Sequence, residues 1–242
     1  MSNLIYAISK VKDGNMAFKY GEKEEVLKNR IEFLKKANLT IENTSFMTVN
    51  MKDSIITIDE TFQGKGSKSK DHAINCDALI TNRKELGMYL DVGDCLPILI
   101  HDPKEEVLAL VHGGWPNTDL KIVQKVVKKL ATEFNCTVSN LEIIIGPGIQ
   151  KESLIYDNNI FNLISSDWKE YIYQDGDDPE KFHIDNLGFT IDQLKELGIE
   201  DKQIQVDTTD TYLSEEYFSH VRDFRQNQKD QGRFCMIAKL VD

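Results

Sequence analysis

No run of apolar residues in this 242-residue chain approaches the ~18 needed to cross a bilayer. The opening Met1-Ser2-Asn3-Leu4-Ile5-Tyr6 lacks the basic start and long apolar core of a secretory signal. Together these absences predict a cytoplasmic protein with no membrane partner. Cysteine is scarce: Cys76, Cys95, Cys136 and Cys235 form no CxxC pair and outline no disulfide framework, so free thiols are expected. Positive charge is in deficit. A net charge of −11 favours solubility and opposes nonspecific binding to nucleic acid. There is no internal repeat and no long linker.

What is present fits one soluble domain over residues 1–242: 40% of residues are hydrophobic and 29% charged. Leu4 to Ser9 reads as a strand, and Glu24 to Ala37 as a helix with Leu27, Ile31 and Leu34 on one face. Ser45 to Val49 and Ser54 to Ile58 read as a strand pair. Glu85 to Val92 runs into Gly93-Asp94-Cys95-Leu96-Pro97. Ile98 to Leu110 reads as strand, turn, strand around Asp102-Pro103-Lys104-Glu105, and ends in Val111-His112-Gly113-Gly114-Trp115. A helix from about Thr118 to Phe134 carries an apolar stripe through Leu120, Val123, Val127 and Leu130. Strand Leu141 to Ile145, helix Ile191 to Leu197, strand Gln203 to Val206 and strand Phe234 to Leu240 follow. Strands and helices without strict alternation predict an α+β fold, a single domain with mixed β-sheets and flanking helices.

The hairpin is the chemical signal. It returns the chain to its starting edge, so Cys95 and His112 are expected side by side. A thiol beside an imidazole is either a nucleophile–base pair or two ligands of a soft metal. The turn after His112 leads into a helix whose first turn Asn117 or Thr118 can cap, and its free N–H groups favour an anion.

Five ordered blocks resemble the YfiH-type, laccase-domain family. Gly93-Asp94-Cys95-Leu96-Pro97-Ile98-Leu99-Ile100 is similar to the family's ADCxPVLL, and His112-Gly113-Gly114-Trp115-Pro116-Asn117-Thr118 to HAGWRGT. Ile145-Gly146-Pro147-Gly148-Ile149 is similar to IGPxI, and Asp77-Ala78-Leu79-Ile80-Thr81 to DALVT. Phe218-Ser219-His220-Val221-Arg222-Asp223 with Gly232-Arg233 is similar to FFSxRRD and GR. The resemblance implies a purine nucleoside phosphorylase acting on adenosine, inosine or methylthioadenosine, with adenosine deamination as a second reaction. Its partners are then a purine nucleoside and phosphate. It implies zinc held by Cys95, His112 and a third histidine. That third position falls on Asn50 here, a poorer zinc ligand than imidazole. The family's arginine after Trp115 is Pro116, and the first arginine of FFSxRRD is Val221. A copper phenol oxidase, the activity behind the family's older name, needs clustered imidazoles, and this chain has five dispersed histidines. Two further readings stay open: a metal-free Cys95–His112 hydrolase or transferase with Asn50 orienting the histidine, and a scaffold without activity.

Each remaining candidate has a plain structural reading. Gly113 and Gly114 leave room around the imidazole or simply turn the chain. Trp115 is core or a stacking wall. Arg222 is an anion clamp or a structural ion-pair partner. The segment from Gln63 to Lys70 is a solvated loop or a phosphate-contacting lid. His72 is solvated or swings inward, and Asp185 reads as structural.

Overall fold

The computed structural model describes residues 3–227 and 231–242. In chain order the strands are β1 Leu4–Ile8, β2 Thr44–Thr48, β3 Ile55–Thr57, β4 Ile74–Asn75, β5 Ala78–Thr81, β6 Gly87–Val92, β7 Leu96–Asp102, β8 Val107–Gly113, β9 Glu142–Ile145, β10 Ile155–Asp157, β11 Ile172–Gln174, β12 Lys181–Ile184, β13 Ile204–Val206 and β14 Phe234–Leu240. The helices are α1 Lys23–Leu34, α2 Trp115–Asp119, α3 Ile122–Phe134, α4 Asn186–Lys195 and α5 His220–Arg225. Two mixed sheets organise them, ordered β1-β14-β6-β2-β4 and β13-β9-β7-β8-β5-β3, with a small sheet β10-β12-β11 to one side.

Side-chain alternation along the strands sets the layers. On β6, Met88, Leu90 and Val92 turn to the space between the two large sheets, where they meet Leu79, Leu99, Leu108 and Leu110. Tyr89, with Cys235 and Ile237 of β14, turns the other way onto Phe33 and Leu34 of α1. On the far face of the six-stranded sheet, Ile98, Ile100, Ala109 and Val111 pack on Ile122, Val126 and Leu130 of α3. The order is therefore helix, sheet, sheet, helix. Each fully buried Val, Leu or Ile contributes about 1.5–3 kcal/mol, so the double-faced strands β7 and β8, buried at every position, anchor the molecule.

The α+β architecture and the hairpin agree with the sequence reading. Pro97 lies opposite His112 and Ile98 opposite Val111, an antiparallel register. Two local expectations fail. The strands at 44–48 and 55–57 do not pair; β2 joins β6 in one sheet and β3 joins β5 in the other. The intervening turn carries the chain between layers, which a local pattern does not reveal. The helix expected from Thr118 is two helices. Lys121, at φ 58°, breaks it in the left-handed region, and the first helix already starts at Trp115 after Gly114. The three short, polar strands β10–β12 had no sequence signal of their own.

Candidate active site at the open end of the hairpin

Cys95 stands in the turn between β6 and β7. The preceding Asp94 has φ 97°, a conformation that L side chains rarely adopt, with strain on the order of 1–3 kcal/mol. Asp94 is held there from three directions. Its carboxylate accepts from Thr211 Oγ1 at 2.8 Å and from the Val221 N–H at 2.7 Å, and its carbonyl accepts from the Ile149 N–H at 2.9 Å. The Asp of the GDC motif is thus the clamp that aims Cys95, and the segments around Ile149, Thr211 and Val221 are its supports.

His112 continues the inward alternation of Leu108 and Leu110 on β8 and is 1% exposed. Its Nδ1 lies 3.4 Å from Oδ1 of Asp77, an ion-pair separation without the alignment of a hydrogen bond. Its backbone N–H donates to the Asp77 carbonyl at 2.8 Å. Gly114 is the contact point of the site: a Cβ there would sit 3.2 Å from Cys95 Sγ and 3.2 Å from His112 Cε1. Sulfur and ring therefore face each other across a glycine that no larger residue replaces without displacing them. Burial alone would push the His112 imidazole down. The neighbouring Cys95 sulfur, together with Asp77, overcomes this and raises it to about 9. Burial would lift Asp77, but the interactions with His112 and the Lys52 N–H hold its carboxyl below the usual range.

These groups open onto a cavity of about 370 Å³, within the range of small-molecule sites. Its charge is opposite to that of the protein as a whole. Lys19, Lys70, Arg233 and His220 face it, with Arg30 and Asp91 at its floor. Lys19 and Lys70 are exposed at the rim. Burial and the neighbouring Arg233 hold the His220 imidazole down. Phe18, Tyr20 and Phe46 supply aromatic wall. A hollow of about 610 Å³ beside the small sheet, lined by Phe161, Ile164 and Phe182, contains no cysteine or histidine.

The structure brings Cys95 and His112 to the cavity, but not every residue singled out in the sequence. Asn50 does not line it. Its amide nitrogen donates to Asn75 Oδ1 at 2.7 Å and Ser54 Oγ at 3.0 Å, and its oxygen accepts from the Lys52 N–H at 3.1 Å. Arg222 does not clamp an anion. Its Nη1 donates to the carbonyls of Thr211, Tyr212 and Ser214 and its Nη2 to that of Tyr217, so it braces the segment that supports Asp94. Trp115 donates to Tyr156 at 3.0 Å and packs against the small sheet. The Gly113 carbonyl is engaged by Asn186 at 2.9 Å. The start of α2 offers no open anion site: the helix has five residues, and Asn117 is buried with its amide on the Lys52 carbonyl. His72 lies outside the cavity, and Asp185 caps α4 through the Gly188 N–H at 2.7 Å. Asp91 was missed as a site residue, Asp77 and Arg233 were named only within motif blocks and given no role, and Lys70 was reached only as the end of the candidate phosphate-contacting segment. Asp77 stands at the entrance of a fully buried strand, where a carboxylate is unusual.

The donor set does not fit a three-ligand metal centre. Cys95 and His112 supply one sulfur and one nitrogen, while the amide at the third position points into the 50–54 turn. Among the described residues no group of three or more His, Cys, Asp or Glu side chains is placed to hold a metal ion.

The chain superposes on two solved structures over nearly its whole length. One is hypothetical protein YfiH of Bacillus licheniformis, with a TM-score of 0.87 and 20% identity over 98% of this chain and 92% of that one. The other is YlmD of Geobacillus stearothermophilus, with a TM-score of 0.87 and 20% identity over 99% and 93%. The fold is therefore the mixed-sheet α+β fold of the YfiH and YlmD structures. A family model described as multi-copper polyphenol oxidoreductase laccase matches residues 6–240, and the chain belongs to that family. Relatives bear the name purine nucleoside phosphorylase. That of Campylobacter jejuni is 25% identical over 84% of this chain and 79% of its own length, and that of Bacteroides thetaiotaomicron 22% over 82% and 75%. The match to Bacillus subtilis YlmD, 23% identical, covers 58% of this chain and about half (51%) of that relative.

Proposed function

We propose that the protein is a purine nucleoside phosphorylase acting on adenosine, inosine or methylthioadenosine. The observation that carries this reading is a cationic cavity, part aromatic, in a chain of net charge −11, with Cys95 and His112 at its inner end. Lys19, Lys70 and Arg233 would hold phosphate; the aromatic wall would hold the base. In the reaction a phosphate oxygen bonds to the ribose C1′ as the N-glycosidic bond breaks. The bond electrons leave with the base, which takes a proton on a ring nitrogen. His112, with Nδ1 turned to Asp77 and its side chain among those lining the cavity, is the buried group able to hold and deliver that proton. Asp77, 3.4 Å from Nδ1, favours the protonated ring and helps to set its direction. No step is routed through a metal, because the donor set does not fit one.

The names borne by relatives support the same reading. The experiment is release of free base from each nucleoside with and without phosphate. Release that requires phosphate is expected, and its absence for every nucleoside overturns the reading. Ammonia release from adenosine in the same assay tests the deaminase reaction. The carboxylate behind His112 favours one second reading, a thiol hydrolase or transferase with Cys95 as nucleophile, His112 as base and Asp77 in the orienting role expected of Asn50. Covalent labelling of Cys95 by substrate would mark that case.

A further inference from the structure

Asp91 lies on the side of β6 that faces α1, in step with Tyr89, and the strand carries it to the cavity floor. Arg30 of α1 fixes it. Arg30 Nη2 lies 3.1 Å from Asp91 Oδ2. The same guanidinium stacks 4.1 Å from the Phe18 ring, 4.7 Å from Tyr89 and 5.0 Å from Phe46. Its Nε and Nη1 donate to the carbonyls of Met16 and Gly66. At 4% exposure it has no room to move. The partner is therefore rigid, and so is the carboxylate it holds.

Only one of the two carboxylate oxygens is engaged. Asp91 Oδ1 has no hydrogen-bond partner among the described residues, while the Asp91 side chain keeps 27% of its surface open, on the cavity side. Burial pushes the Asp91 carboxyl up, with Arg30 acting in opposition. A half-buried carboxylate oxygen beside aromatic walls is unfavourable unless a donor reaches it. On the phosphorylase reading the rim cations serve an anion, while Asp91, itself within the field of Arg233 and Lys70, repels one. The floor and the rim thus select different parts of one ligand.

We propose that Asp91 is the base-recognition residue of this cavity, its Oδ1 accepting a hydrogen bond from an N–H on the six-membered edge of a purine. This rests on the purine nucleoside reading and deepens it. The ligands selected are purines with a 6-amino group or an N1–H. A purine with neither leaves the carboxylate unpaired, and sites built to bond such a group reject analogues lacking it.

The test is equilibrium binding of inosine, adenosine and unsubstituted purine riboside to the full chain in phosphate-free buffer, beside base release from each once phosphate is added. Inosine and adenosine are expected to bind on the order of 10- to 100-fold more tightly than purine riboside, the range of one hydrogen bond to a charged group. Asp91→Asn, which keeps an oxygen for Arg30, should remove that ratio. Should the variant not fold, the wild-type ratio alone decides. Equal binding of the three ligands overturns the role of Asp91, and phosphate-dependent base release then still supports the phosphorylase reading. Discrimination without base release keeps Asp91 and removes phosphorolysis. Binding of none removes both.

Discussion

A cysteine, a histidine and an aspartate gather around each end of the hairpin β7–β8, and the two ends differ in every respect that matters for chemistry. At the far end His101 is fully buried, with Nδ1 3.3 Å from Glu142 and Nε2 without a partner. Burial pushes its imidazole down. Burial, reinforced by the charge of Asp102, pushes the Cys136 thiol up to about 12. Asp102 Oδ1 accepts from the N–H groups of Lys104 and Glu105 and so ties the turn. At the near end the same residue types meet across Gly114, and there His112 is raised rather than lowered. The near end faces a cavity; no cavity opens beside His101, Asp102 or Cys136 among the pockets described. Reactivity follows from mutual placement and access, not from the inventory of side chains.

The largest effect that could break this comparison is on turnover. His112→Asn should lower phosphate-dependent base release by on the order of 10²–10⁴-fold, the usual range for an acid–base group, and Cys95→Ser should lower it by less, because the Cys95 sulfur acts through the imidazole that it helps to raise. Cys136→Ser and His101→Gln should leave it within a few-fold once folded protein is counted. Comparable losses at both ends would mean that the hairpin acts only as scaffold.

Next in size is the contrast between Arg222 and Arg233, which the sequence places close together. Arg222 binds four carbonyls, so Arg222→Ala should lower stability by about 2–4 kcal/mol, since hydrogen bonds from a charged group contribute roughly 1.5–3 kcal/mol. Thermal melting measures it, and KM for phosphate in the folded fraction should not move. Arg233 donates to Tyr20 and the Gly232 carbonyl but faces the cavity. Arg233→Ala should raise KM for phosphate by about 10-fold, the worth of one charged contact. The reverse pattern would return Arg222 to the anion site.

That contrast also shows what the sequence could and could not reveal. The hairpin was legible because two apolar runs flanked a turn of Asp, Pro, Lys and Glu, and its register put Cys95 beside His112. The layers were legible less well: β2 and β3 look alike locally, and only long-range pairing sends them to different sheets. Asn50 and Arg222 were placed by motif position, yet neither side chain reaches the cavity. Side-chain direction depends on neighbours distant in sequence, such as Asn75 for Asn50 and Thr211 for Arg222. Asp91 gave no signal, since its meaning comes entirely from Arg30, a whole layer away.

The two histidines should also oppose each other in pH dependence. His112 is raised to about 9 in the folded chain from an ordinary 6.5. Its contribution is therefore complete below pH 6.5 and lost as pH rises through 9, a change of roughly 3 kcal/mol. His101 is lowered on folding, so its contribution is present above pH 6.5 and lost on acidification. Denaturant unfolding from pH 5 to 10 should show His112→Asn flattening the alkaline limb and His101→Gln the acid limb. An alkaline limb unchanged by His112→Asn would mean that Asp77 and Cys95 do not stabilise the imidazolium.

The smallest effect concerns metal. Dialysis against a chelator should leave base release unchanged, because the donors gathered at the near end are one thiol and one imidazole. Replacing Asn50 by histidine puts an imidazole at the position where the family resemblance expects one. Position 50, however, is held in a turn pinned to Asp77, whose carboxylate accepts the N–H groups of Asn50, Met51 and Lys52 at 3.2, 3.0 and 3.0 Å. Turning a new ring toward Cys95 would break bonds to a fully buried carboxylate, each worth about 1.5–3 kcal/mol. That opposes most of what a third ligand adds. Asn50→His should therefore bind zinc more tightly than the parent chain by no more than about 10-fold, the equivalent of roughly 1.4 kcal/mol. Zinc titration of both forms at one pH measures the difference. A gain far beyond that would show that the 50–54 turn rotates freely, and that the near end differs from a metal centre by a single side chain.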